Sequence, residues 1–167
     1  NLWAAPEVAL SYLRDLDALL VGVEEPIGAR RYAELGRIAL ALNCPIILDE
    51  SIVTADQLGV LEATPERWVI NVRVSKMGGL LRSLAVVSGA RARAIPIIVG
   101  AQVGETSVLT RAALTVAHAA GTGLLAQEGA FGTFLLAHDV CEPSLMFSVG
   151  GMLDVQAYPT LEGAGLG

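Results

Sequence analysis

Lysine is almost missing from this chain. Of the 11 basic residues among 167, ten are Arg and one is Lys, at position 76. Acidic residues number 17, so the net charge is −6. The Arg residues are scattered, which leaves no basic face for nucleic acid. Cysteine is equally scarce. Cys44 and Cys141 stand far apart, and neither has a partner at metal-ligand spacing. That excludes a disulfide scaffold and reads as two reduced thiols in a cytoplasmic protein. Long apolar runs are absent as well. The longest stretch without Asp, Glu, Lys or Arg is Ala112 to Gln127, 16 residues interrupted by His118, Gly121 and Gly123. A spanning helix needs about 20 apolar residues. The hydrophobic fraction of 53% and the mean hydropathy of +0.57 therefore call for a deeply buried core rather than a membrane span. Neither a G-x-G-x-x-G turn after the first strand nor a phosphate-cradling P-loop occurs.

What is present is a repeating beat. Pro6 to Leu16 has helical spacing, with Pro6 suited to a first turn. The apolar runs Leu19–Val23, Pro45–Leu48, Trp68–Val72, Ile95–Val99 and Gly123–Ala126 read as strands. Between them, Tyr32–Leu42, Thr54–Leu61, Leu80–Ala92 and Thr106–Ala119 read as helices, and one more short helix is expected near Phe134. Strands and helices alternating at this period mean a parallel sheet covered by helices. The near-continuous apolar strands fit burial on both faces. Two architectures satisfy this pattern: an open doubly wound sheet, or part of a (β/α)8 TIM-type barrel.

The charges cluster where strands end. Glu24 and Glu25 follow the first strand, Asp49 and Glu50 the second, and Glu128 the fifth, while Lys76 follows the third and Glu105 the fourth. In a barrel those ends share one rim, the rim on which barrel enzymes place their chemistry. Carboxylates converging there repel one another unless a cation sits among them, and oxygen-only ligands point to a hard ion such as Mg2+. The plain alternative is that these acids cap helices or lie on solvated loops. Glu105 in particular stands at the first turn of a helix, where a carboxylate is favourable in any case.

The segments Val23-Glu24-Glu25-Pro26, Leu48-Asp49-Glu50-Ser51 and Asn71-Val72-Arg73-Val74-Ser75-Lys76-Met77-Gly78-Gly79 resemble, in this order, the successive motifs of the enolase superfamily. The similarity is to its muconate-lactonizing and mandelate-racemase-like branch and runs along the whole chain. It implies the C-terminal part of a (β/α)8 barrel, about five βα units over residues 1–167. The capping domain and first barrel strands are expected upstream. It implies Mg2+ bound by Glu24 and Asp49, with Glu50 beside them. A third ligand is expected two residues before Asn1. The implied chemistry is loss of a proton next to a carboxylate through an enediolate, as in racemases, epimerases, cycloisomerases and dehydratases. Lys76 and Arg73 are the implied catalytic groups. Glu105, Gln102 and Glu128 are the implied contacts to a small carboxylate substrate. The full-length protein is expected to be a homo-oligomer.

One position departs from the pattern. Lysine-base members keep the catalytic Lys three residues before the Lys of K-x-G-G, and here that residue is Arg73. Arg is a poor base because it holds its proton above about pH 12. The bland reading of Arg73 and Lys76 is that they pair with Asp49 or Glu50. Two other functions stay open: a barrel homologue that binds a carboxylate without proton abstraction, and an unrelated aldolase-type barrel using Lys76 as a Schiff-base amine. A five-strand sheet has unpaired edges. The 167 residues expressed alone are therefore expected to self-associate and to be inactive. A monomeric, metal-dependent enzyme on size-exclusion chromatography would contradict that.

Overall fold

Strand order decides between the two architectures. The computed structural model describes residues 3–16, 18–129, 132–148 and 150–153. Five parallel strands form one sheet: β1 (Val23–Glu24), β2 (Ile46–Leu48), β3 (Trp68–Val72), β4 (Ile97–Val99) and β5 (Leu124–Gln127). Their spatial order is β1-β2-β3-β4-β5, the same as their order in sequence. A doubly wound sheet reverses direction at a switch point, and this sheet does not. Right-handed crossovers between successive neighbours put every connecting helix on the same face, as in the arc of a barrel.

The register separates the two faces of the arc. Val23 pairs with Ile46, Ile46 with Trp68, and Ile70 with Ile97. Because side chains alternate along a strand, Ile46, Leu48, Ile70, Val72, Ile97 and Val99 share one face, and all are fully buried. They pack against α2 (Tyr32–Leu42), α4 (Leu80–Ala92) and α5 (Ser107–Ala120) in a single core. Helix α5 shows why this works. Its buried Ala113, Val116, Ala117 and Ala120 follow the spacing of one helical stripe. The opposite face carries Glu24, Ile47, Val69, Asn71 and Ile98 by the same register. Glu24 and Asn71 thus stand on the inner face of the arc.

Three local expectations change. The first strand, expected over Leu19–Val23, is reduced to Val23–Glu24, and Leu19 is 99% and Val21 86% exposed. The reason lies in β2, which starts at Ile46. The rungs run from Val23 N to Pro45 O (3.0 Å) and from Glu25 N to Ile47 O (3.1 Å), so residues before Val23 have no strand beside them. The helix expected over Thr54–Leu61 is a 3-10 helix, Ala55–Leu61, opened by a capping box between Thr54 and Gln57. The turn α3 (Val74–Met77) was not expected, being only four residues long and closed by left-handed Gly78. Helix α1 (Pro6–Asp15) lies where periodicity puts it, and α6 (Gly132–Leu135) is the short helix expected near Phe134.

Ile70 sits at the centre of the middle strand and is fully buried. Ile70→Ala removes atoms that the packed core cannot replace, at a cost of about 2–5 kcal/mol. The expected result is a lower urea midpoint at unchanged slope.

Candidate functional site

The carboxyl ends of β1, β2 and β3 meet around Asp49. This residue directly follows β2, and its side chain is only 8% exposed. Two cations reach it from beyond β3. Arg73 donates from Nε to Asp49 Oδ1 at 3.0 Å and from Nη2 to Oδ2, a two-pronged contact. The same Nη2 lies 3.3 Å from Glu50 Oε1. The α3 turn then folds Lys76 back toward β2. Its Nζ donates to Asp49 Oδ1 (2.5 Å), to Asp49 O (2.6 Å) and to Asn71 O (2.7 Å). Those bonds use all three ammonium protons. Burial pulls the Lys76 pKa down, and the Asp49 carboxylate opposes that shift.

The neighbouring acids play different parts. Glu25 is 1% exposed, and its Oε1 accepts from the backbone N–H of Asp49 (3.1 Å) and of Ser51 (2.9 Å). Tyr32 Oη donates to Ser51 O at 2.9 Å. Together these bonds fix the turn that presents Asp49. Glu25 Oε2 is buried without a hydrogen-bond partner. Glu24 is exposed, and its Oε1 accepts from Asn71 Nδ2 at 3.1 Å. The sequence pattern assigns Asn71 no role of its own, although an amide inside the apolar run Trp68–Val72 is a signal for one.

The β4 and β5 ends hold the three expected substrate contacts, each engaged in loop structure. Glu105 is 7% exposed, and its Oε1 accepts from Gln102 N at 2.7 Å. It lies beside Ser75 and Arg73. Gln102 is exposed and bonds Glu105 through its backbone. Glu128 is exposed, and its Oε2 accepts from Ala101 N at 3.2 Å. Asn1 and residues 130–131 lie outside the described residues.

The whole chain, residues 1–167, matches the family described as enolase C-terminal domain-like. The chain belongs to that family. It is 29% identical over 148 residues to the L-Ala-D/L-Glu epimerase of Escherichia coli (strain K12), covering 89% of this chain and 43% of that protein. The Bacillus subtilis (strain 168) enzyme of the same name is 27% identical over 111 residues, 65% of this chain and 30% of the relative. The chain thus spans less than half the length of the curated relatives it matches. Among solved structures, a dipeptide epimerase from Enterococcus faecalis V583, complexed with Mg and the dipeptide L-Leu-L-Tyr, superposes with a TM-score of 0.72 at 26% identity. That match covers 83% of this chain and 38% of the other. The fold is that of the C-terminal part of an enolase-superfamily TIM barrel, and these relatives are isomerases.

For an enolase-type metal site the fit is partial. Among the described residues, no three His, Cys, Asp or Glu side chains are grouped to hold an ion. Glu24, Asp49 and Glu50, the expected ligands, are not gathered into one group: Asp49 and Glu50 share Arg73, while Glu24 bonds Asn71. What does fit is the donor chemistry and the charge. Glu24 has no cationic partner among the described residues, while Asp49 and Glu50 are paired with Arg73 and Lys76. The unpaired Glu24 carboxylate suits an oxygen-seeking divalent ion.

Burial pushes the Glu105 carboxyl pKa up, against the bonds from Gln102 and Ser75 and the charge of Arg73. A raised folded-state pKa means that this contribution to stability is complete below the ordinary carboxylate range and is lost as pH rises through the raised value. Glu105→Gln stays neutral and should lose less stability than the parent between acid and neutral pH. Urea unfolding at both pH values checks this, and equal losses in the two proteins would contradict it.

Proposed function

We propose that residues 1–167 form the C-terminal part of the barrel domain of a Mg2+-dependent racemase or epimerase, acting at the carbon next to a carboxylate. The observation that carries this reading is the pair Glu24 and Asp49 at successive strand ends, one without a cationic partner among the described residues and the other held by Arg73 and Lys76. The curated relatives are L-Ala-D/L-Glu epimerases by name and a solved structural neighbour is a dipeptide epimerase, so a small dipeptide with a free carboxylate is the proposed substrate class.

Glu24 and Asp49 would hold the metal, with Glu50 at their side. When bound, Mg2+ supplies positive charge that stabilises the negative charge developing on the substrate carboxylate. A guanidinium is a poor general base. That of Arg73 can neutralise Asp49 or a substrate carboxylate. Lys76 orients Asp49 through its ammonium group. Burial lowers its pKa and the Asp49 carboxylate opposes that shift, so its part here is to hold Asp49. Glu105, Gln102 and Glu128 lie on the β4 and β5 side of the rim, where they would meet the rest of the substrate.

A second reading is favoured by one observation. The two-pronged Arg73–Asp49 bond suits a homologue that binds a carboxylate without abstracting a proton. The deciding experiment is α-proton exchange in D2O, followed by NMR, on the gene product containing this chain. With Mg2+ and a dipeptide panel, exchange is expected, chelation should abolish it, and Glu24→Gln should slow it by about 100-fold or more. No exchange across the panel would leave the non-catalytic reading.

A further inference from the structure

Asn71 links both halves of the rim. It is 3% exposed, in the last but one position of β3. Its Nδ2 donates to Glu24 Oε1 at 3.1 Å, and its carbonyl accepts from Lys76 Nζ at 2.7 Å. Lys76 in turn grips Asp49. Side chain and main chain of one residue therefore serve the two carboxylates at the ends of β1 and β2. The amide orientation follows from charge, since a flipped amide would turn its oxygen toward the Glu24 carboxylate. In the orientation present, Oδ1 is buried with no hydrogen-bond partner. An unmade buried hydrogen bond is costly, and here it accompanies a donor directed at Glu24.

The wall behind Asn71 is Gly100, at the end of β4. A Cβ built on Gly100 would overlap Asn71 Oδ1 and lie 2.9 Å from Arg73 Cγ. The missing side chain at position 100 leaves the room beside the end of β4 that Asn71 Oδ1 and Arg73 Cγ occupy. Glycine here supplies close approach, not an unusual backbone angle.

We propose that Asn71, seated by Gly100, is a positioning residue that presents Glu24 for metal binding. The proposal rests on the reading that Glu24 is a metal ligand. Partners of this kind, behind the ligands, change metal affinity by about 10- to 100-fold when removed. The test is Mn2+ titration by calorimetry on the full-length gene product, with melting of the metal-free protein as a second readout. Asn71→Ala and Gly100→Ala are each expected to weaken Mn2+ binding by about 10-fold or more. Melting of the metal-free protein should not account for the loss, and high Mn2+ should restore saturation. Glu24→Gln separates the two ideas. If it abolishes binding while Asn71→Ala and Gly100→Ala bind as the parent does, the positioning role is wrong and the metal site stands. If Glu24→Gln binds normally, both fall. If the Asn71 and Gly100 variants lose affinity only in step with a collapse of the metal-free melt, Asn71 is structural and the proposal is overturned.

Discussion

A carboxylate that is mostly shielded from water must be compensated, and at this rim the one in question is Asp49. Desolvating an ion costs several kcal/mol after relaxation, and only close partners offset it. Arg73 and Lys76 both reach Asp49, and both come from the segment after β3. Their bonds therefore tie the end of β2 to the end of β3 beyond the last sheet rung. Lys76 also holds the carbonyls of Asp49 and Asn71, so the short α3 turn is fixed by the charge it carries back. Glu25 completes the arrangement from the other side by accepting two backbone N–H groups of the Asp49–Ser51 turn. Remove the Asp49 charge and the reasons for the placement of Arg73, Lys76 and Glu25 weaken together.

Much of the fold was legible in the sequence, and the limits have physical causes. Apolar runs separated by helical periods gave a parallel sheet, because a strand buried on both faces must be apolar throughout. The same criterion misled at Leu19–Val21, which is apolar yet exposed because pairing depends on where β2 begins. Apolarity reports what a residue could bury and cannot report whether a neighbour is there. At the site, the acids after each strand were legible as a set. Their separate tasks were not, since Glu24 and Glu25 are adjacent and chemically alike. One faces Asn71 from an exposed position, and the other is buried under the next turn. That division follows from the end of the strand: Glu24 is the last residue of β1, whereas Glu25 lies just beyond it with a positive φ of 21°, a turn of the backbone that goes with its place under the Asp49 loop. Asn71 was the reverse case, a polar residue hidden in an apolar run whose purpose shows only once β1 lies beside β2 and β3.

The single lysine takes on a different meaning in this setting. A lysine at position 73 would offer one compact charge, and Lys76 already supplies such a charge to Asp49 Oδ1. Arginine offers a planar fork that can take both Asp49 oxygens and still touch Glu50. The rim thereby gains a firmer hold on Asp49 and gives up a group able to release its proton. On the proposed reading this narrows the acid–base chemistry that β3 can provide to Lys76, whose three protons are already engaged. Any base facing the substrate from the side of Arg73 must then be another group. The inner face of this arc, with Ile47 and Ile98 only half-buried, is the surface across which such a group would have to act.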